Sequence, residues 1–116
     1  MQKDDLVYLG HMLDTARKAF DKTRGKGRLD YDGDENLRLA LAHLIQIIGE
    51  AARRVSSEGR TSHPEIPWSD IMGMRHKVVH DYLDVDEDIV WEVVTSDLPS
   101  LVSALERIVP PEEVGA

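Results

Sequence analysis

One short stretch of the sequence brings together side chains that can move protons and bind anions. Residues 74–82 read MRHKVVHDY, which places Arg75, His76, His80 and Tyr82 around two valines. Histidine has an ordinary pKa of about 6.5, so it can act as a general acid or base near neutral pH. The guanidinium of arginine stays charged, and its planar fork of N–H donors fits a phosphate. The stretch is therefore a candidate for chemistry on an anion such as a phosphate.

A short helix over residues 68–80 is predicted to carry these side chains. At 100° per residue, Arg75 falls inside the apolar arc of this helix, between Ile71 and Val79. A buried guanidinium is costly unless it is paired, because it cannot lose its proton. Arg75 is therefore predicted either to reach water or a carboxylate, or to bind an anion such as a phosphate.

The two strongest candidates for catalysis point in different directions on such a helix. Arg75 and His80 lie about 140° apart, and His76 and Lys77 share the polar arc with His80. One straight helix would not aim Arg75 and His80 at a single phosphate. Either the helix ends before His80, or the site draws on two chains.

The rest of the sequence predicts an all-α fold, an up-and-down bundle of four main helices in one domain of 116 residues. Apolar residues recur every three to four positions in residues 4–23 and in residues 34–59, which predicts the first two helices. The helix over residues 68–80 is the third. The last helix is predicted over residues 86–109, broken at Pro99 because proline has no N–H donor for the preceding turn.

The charge of the chain is unevenly distributed. The net charge is −8, yet residues 1–77 carry 13 basic and 12 acidic residues, and residues 78–116 carry one basic and ten acidic residues. Six of the 14 basic residues fall between Arg17 and Arg28. This basic stretch is predicted to be either a local surface for phosphates or, more simply, a solvated helix end.

Several kinds of protein and site are disfavoured by the composition. The chain has no cysteine, which excludes disulfides and thiolate chemistry. No stretch approaches the roughly 20 apolar residues of a membrane span, and no signal peptide is recognisable, so a cytoplasmic protein without membrane contact is expected. His76 and His80 have the spacing of a zinc pair, but no glutamate follows His76 and no third ligand is obvious. Neither a metal nor a cofactor is expected.

The sequence RHKVVHDY resembles the R-x4-H signature of the HEPN superfamily, in the R-x4-H-x-Y form of the HepT toxins. LIQIIGEAARRV and PEIPWSDIMGMR precede it and VDEDIVWEVVTSDLP follows it, in the order of the family, so the resemblance covers about residues 36–105. One position departs from the pattern: the residue after the arginine is often asparagine in HepT proteins and is His76 here.

The resemblance implies a metal-independent ribonuclease that is the toxin of a toxin–antitoxin pair. It implies a homodimer whose two R-x4-H motifs face each other across the interface, acting on RNA. His80 is then assigned proton transfer, and Arg75 stabilises the charge of the phosphorane. His76 would orient His80, contact phosphate or carry a second proton, and Lys77 would support the same site.

Two further residues have open roles. Glu50, on the polar side of the second helix, is predicted to tether Arg75 or Arg54, or only to be solvated. Tyr82 falls on the apolar arc and would pack there. The resemblance implies instead that Tyr82 accepts AMP from a nucleotidyltransferase antitoxin of the MNT type (minimal nucleotidyltransferase), which silences the toxin.

A different class of function is compatible with the same residues. The chain would then be a non-catalytic helical module that binds a nucleotide or a partner protein and keeps the motif as a binding surface. Cleavage of RNA in the presence of EDTA distinguishes the two hypotheses.

Overall fold

The computed structural model of the protein describes residue 2, residues 4–81 and residues 84–111, with the backbone alone for His80 and Asp81. These residues form eight α-helices, a π-helical segment and a two-stranded hairpin. In chain order they are α1 (Asp5–Lys22), α2 (Arg28–Asp32), α3 (Glu35–Arg54), α4 (Ser57–Ser62), α5 (Trp68–Met72), α6 (Met74–Val78), β1 (Val79–Asp81), β2 (Asp84–Val85), α7 (Glu87–Glu92), the π segment (Val93–Asp97) and α8 (Leu98–Glu106). The predicted all-α class is confirmed. No helix in this part of the chain is long and apolar enough to cross a bilayer.

The central element is α3, which packs against α1, α5, α6 and α7. Its start was predicted from sequence and is confirmed, because the side chain of Asp34 accepts a hydrogen bond from the backbone N–H of Leu37 at 3.0 Å. Its apolar stripe fills the core together with α1 and α8. The buried residues are mostly Leu, Ile, Val and Ala, including Leu9, Leu13, Leu41, Ile45, Ile48, Val90, Val94 and Leu105.

The second predicted helix is shorter than expected. It was predicted to reach Gly59 but ends at Arg54, because Val55 is extended and Ser56 caps a new helix, α4. The hydroxyl of Ser56 accepts from the N–H of Gly59 at 3.0 Å. A serine cap inside an apolar pattern therefore divides one predicted helix into two.

A buried carboxylate holds the start of α1 against the junction between α3 and α4. The side chain of Asp5 is almost fully buried, and it accepts hydrogen bonds from the backbone N–H and the hydroxyl of Ser56 at 2.8 and 2.6 Å. The backbone N–H of Gln2 donates to the same carboxylate at 3.1 Å. The start of α1 thus lies beside the end of α3, so these two helices run antiparallel.

The prediction that the last helix is broken at Pro99 is wrong: helical structure runs without a gap from Glu87 to Glu106, with a change of helix type. Asp86 caps α7 as predicted, accepting from the N–H of Ile89 at 3.2 Å. The π segment then widens the turn directly before α8, whose first turn contains Pro99. A widened turn accommodates a ring that would clash with the carbonyl four residues earlier. α8 ends at Glu106, three residues before the predicted end at Val109.

Candidate active site

The predicted helix over residues 68–80 is broken at Gly73, which separates α5 from α6. The N–H of His76 donates to the carbonyl of Gly73 at 3.1 Å, whereas a continuous α-helix would use the carbonyl of Met72. That carbonyl accepts instead from Nη2 of Arg53, on α3, at 2.8 Å. A side chain from another helix therefore caps the end of α5, and α6 starts after Gly73.

A glycine on α3 permits the close approach that this arrangement needs. A Cβ atom added at Gly49 would lie 3.1 Å from the carbonyl oxygen of Ile71, closer than ordinary contacts. Any larger side chain at this position would push α5 away from α3. The distance from Arg53 to the end of α5 would then increase.

Arg75 lies at the surface of α6. Arg75 is exposed, as are His76 and Lys77, whereas Val78 is fully buried. Of the alternatives predicted for Arg75, the exposed side chain fits contact with water, which leaves its guanidinium accessible to an anion. Among the described residues, Arg75 has no acidic partner within ion-pairing distance.

A polar pocket of about 160 Å³ lies between α3 and the α5–α6 junction. Its charged lining consists of the guanidinium groups of Arg53 and Arg75 and the carboxylate of Glu50, with His76 beside them. The remaining lining residues are Ile45, Gln46, Gly49 and Met72. Two fixed positive charges and one negative charge give the pocket a net positive charge, and the unused N–H donors of both arginines can bind an anion.

The supporting residues differ in how close they lie to this pocket. Glu50 and His76 line it, but Lys77 does not. Lys77 lies instead 3.8 Å from the carboxylate of Asp70, an exposed pair that contributes little to stability. In the part of the chain that the structure describes, Glu50 makes no ion pair with Arg75 or Arg54, so neither predicted tether is present.

The helix that carries Arg75 ends before His80. α6 ends at Val78, and the chain continues as β1, which pairs antiparallel with β2. Of the two alternatives raised by the 140° separation, the first is therefore observed, and the question of a second chain is separate. The side chain of His80 is not described, and Tyr82 lies outside the described residues.

The residues that follow β2 hold the hairpin in place. The N–H of Asp86 donates to the carbonyl of Val78 at 2.7 Å, which closes the base of the hairpin. One residue further on, the carboxylate of Glu87 accepts from the fully buried phenol of Tyr31, and Arg38 lies 3.6 Å from the same carboxylate. Burial, and then the hydrogen bond to Glu87, raise the pKa of Tyr31 above its ordinary value. This network fixes where β2 leads into α7.

An apolar depression of about 290 Å³ adjoins the polar pocket, and Ile45 lines both. Ile48 and Ile71 continue its floor, and Leu98 and Leu101 of α8 form the far wall. Concave apolar surface next to a polar site is typical of an interaction surface.

Half of the six basic residues between Arg17 and Arg28 are paired with acidic residues. Arg17 pairs with Glu106 at 2.7 Å, and Arg24 pairs with Asp21 at 2.7 Å. Arg28 contacts both Asp32 and Asp88, at 2.8 and 2.7 Å. These pairs favour the simpler prediction, a solvated helix end, over a surface for phosphates.

Comparison with known proteins identifies the family. The family model described as "Ribonuclease HepT-like" matches residues 12–108, which is most of the chain. The chain belongs to the HepT-like family. A "Probable ribonuclease HepT" of Thermococcus cleftensis is 35% identical over 93% of this chain and 98% of its own length. A candidate RNase of Caldanaerobacter subterraneus subsp. tengcongensis is 32% identical over 91% of this chain and 95% of its own length. No solved structure shows a significant match.

Arg53 is the residue of this HepT-like pocket that the sequence did not assign to the site. It precedes the R-x4-H motif by more than 20 residues, and only the fold brings it to Arg75. Its spacing from Gln46 and Glu50, at steps of four and three, was the available signal, because it places all three on one face of α3.

Proposed function

We propose that this HepT-like chain is a metal-independent ribonuclease whose active site includes the polar pocket beside α6. The observation that supports this most directly is the convergence of Arg53, Arg75 and His76 on one exposed pocket, next to the strand that contains His80. Side chains that can carry protons and bind phosphate are the parts that RNA cleavage requires, and no metal is needed for them to act.

The reaction is internal transesterification of RNA. The 2′-hydroxyl oxygen attacks the adjacent phosphorus, and a base takes its proton as the new P–O bond forms. The bond from phosphorus to the 5′-oxygen breaks, and an acid gives that oxygen a proton. His80 carries the proton transfer, Arg75 stabilises the negative charge that builds up on the phosphorane, and His76 orients His80, contacts phosphate or carries the second proton.

Cleavage without a metal tests this function. We expect the purified chain to cut single-stranded RNA in excess EDTA and to leave 2′,3′-cyclic phosphate and 5′-hydroxyl ends. The ends are identified by enzymatic labelling and mass spectrometry, with a substrate that has a 2′-deoxy nucleotide at the cut site as the control. Binding of RNA without cleavage would favour the alternative, a non-catalytic binding module.

The proposed ribonuclease acts as a homodimer. The apolar depression beside the polar pocket supports this proposal, because a second copy that covers it would bring a second motif to the same site. Symmetry would then supply a second Arg75 and a second His80 around the RNA phosphate.

We further propose that the chain is a toxin silenced at Tyr82 by an MNT-type nucleotidyltransferase antitoxin. The phenolic oxygen of Tyr82 attacks the α-phosphorus of ATP, pyrophosphate leaves, and AMP remains on the tyrosine. Tyr82 is two residues from His80 in sequence, so a bulky anion there would obstruct the phosphate site.

Co-expression with the nucleotidyltransferase tests this modification. We expect the chain to gain the mass of one adenylyl group, mapped by peptide sequencing to Tyr82, and to lose RNA cleavage. The Tyr82→Phe variant should stay unmodified and active under the same conditions. An adenylyl group on another residue would contradict the assignment of Tyr82.

A further inference from the structure

A second concave pocket, of about 370 Å³, lies between α1 and α3 on the other side of Glu50. α3 presents two adjacent stripes here. Gln46 and Arg53 face the polar pocket of Arg75, whereas Ile47 and Arg54 face α1. Glu50 lies between these stripes and lines both pockets, so the two concavities are neighbours along the surface of one helix.

The α1 wall of this second pocket combines aromatic rings with a carboxylate. Tyr8, His11 and Asp14 recur at steps of three and therefore share one face of α1. The rings of Tyr8 and His11 meet edge to face, with their centroids 6.1 Å apart. Tyr8 is half-buried and His11 is exposed, so the ring pair is held by packing yet remains open to a ligand.

The polar groups of the pocket are not used by the fold. Among the described residues, Asp14, Glu50 and Arg54 make no hydrogen bond or ion pair through their side chains, although all three line the pocket. Two carboxylates would repel a phosphate. They would, however, accept N–H donors from a neutral ligand, while the guanidinium would donate to its acceptors.

We propose that this pocket binds a nucleobase of the RNA next to the scissile phosphate, with a preference for guanine. A flat ring stacks on aromatic side chains, as single-stranded RNA does in many proteins. Guanine presents N–H donors on one edge, which a carboxylate accepts, and O6 and N7 acceptors on the other, which an arginine fork fits. The inference rests on the proposed ribonuclease function, and it makes the pocket the determinant of where the RNA is cut.

Cleavage of an RNA pool with random sequence, followed by mapping of the ends, tests the proposal. We expect the wild-type chain to prefer guanine at one fixed position relative to the cut. Tyr8→Ala should raise KM about tenfold and leave kcat nearly unchanged, because one stacking contact is lost. Tyr8→Phe should restore the KM, since the ring is retained.

The second variant addresses recognition of the base edge. Asp14→Asn should reduce the preference for guanine about tenfold, which is the discrimination expected of one well-placed contact to a base edge. The matched control is Val7→Ala, at an exposed position on α1 that does not line the pocket. Circular dichroism melting of every variant confirms that the fold is intact.

The outcomes separate this proposal from the ribonuclease function itself. If the wild-type chain cuts RNA, and Tyr8→Ala and Asp14→Asn cut the same sites with the same KM, the base pocket is refuted and the ribonuclease function stands. If the wild-type chain cuts no RNA, both are refuted. A loss of guanine preference in Val7→Ala as well would assign the effect to α1 as a whole and would also refute the pocket.

Discussion

Replacing Arg75 with alanine will reduce RNA cleavage by at least about 100-fold in kcat, because a fixed positive charge is removed from the phosphorane. His80→Ala will cause a loss of about 10²- to 10⁴-fold, the usual contribution of a positioned general acid or base. Arg75→Ala should not affect folding, since Arg75 is exposed and not paired with any described residue. Circular dichroism melting checks that His80→Ala is folded. Initial rates on a fluorescent RNA in EDTA measure both effects.

The controls are matched by residue type. Arg24→Ala removes an arginine whose only described ion pair is with the exposed Asp21, and His43→Ala removes an exposed histidine of α3. Both should cleave like the wild type. In cells, induction of the wild-type chain alone should stop growth, and induction of Arg75→Ala or His80→Ala should not. If the variants are as toxic as the wild type, this mechanism is refuted.

The same two variants also test whether the site is shared between two copies. If each site takes Arg75 from one chain and His80 from the other, mixing the variants will regenerate one intact site in each mixed dimer. Half of the dimers are then mixed, so activity should recover to about a quarter of the wild-type level. No recovery, with exchange of subunits shown by mass spectrometry, would contradict a site made of one Arg75 and one His80 from different chains.

The largest expected effect on stability is at Asp5. Asp5→Ala should lower the free energy of unfolding by about 3 kcal/mol at pH 7, because the N–H and hydroxyl of Ser56 lose a charged acceptor in a buried place. Urea unfolding followed by circular dichroism measures the change. Asp5→Asn should be destabilising as well, since its amide group cannot accept all of these hydrogen bonds.

The pH dependence of this stabilisation has a definite sign. Burial alone would raise the pKa of Asp5, but hydrogen bonds from the hydroxyl and N–H of Ser56 and from Gln2 outweigh it and hold the pKa below its ordinary value of 3.8. A carboxylate with a lowered pKa in the folded state stabilises the fold fully above pH 3.8, and the stabilisation is lost as the pH falls through the folded value. The difference in stability between wild type and Asp5→Asn should therefore shrink in acid.

Substitution of Gly59 tests how closely the chain packs around the carboxylate of Asp5. A Cβ atom at Gly59 would lie 2.5 Å from Oδ2 of Asp5 and 3.0 Å from Cγ1 of Val55. Gly59→Ala should therefore be clearly destabilising in the wild type and less so with Asp5→Ala, where the contact with Val55 remains. Gly33→Ala, where the nearest atom is at 3.4 Å, should cost little. Equal costs of Gly59→Ala in both backgrounds would show that Asp5 and Gly59 do not interact.

The sequence alone determined the helical class, the helix starts at Asp34 and Asp86, and the R-x4-H motif with its family. These features depend on residues close together in the chain: a side-chain cap, an apolar repeat, or a motif of eight residues. Such local signals act whatever the rest of the fold does, so they can be read without it. The polar face of α3 that contains Glu50 and Arg53 is also a local signal of this type.

Only the tertiary structure decided that Arg75 is exposed and which residues line its pocket. The break at Gly73 depends on Arg53, which donates a hydrogen bond to the carbonyl of Met72. Arg53 and Met72 are 19 residues apart in sequence. The close approach of Gly49 to Ile71 makes this hydrogen bond possible. A helical wheel assumes that the next hydrogen bond is made within the helix, and here a side chain of α3 makes it instead. The hairpin was not predicted for a similar reason, since the N–H of Asp86 takes the carbonyl of Val78 where the local pattern would have continued the helix. α4 was missed for a local reason, because Ser56 caps a new helix inside the apolar pattern.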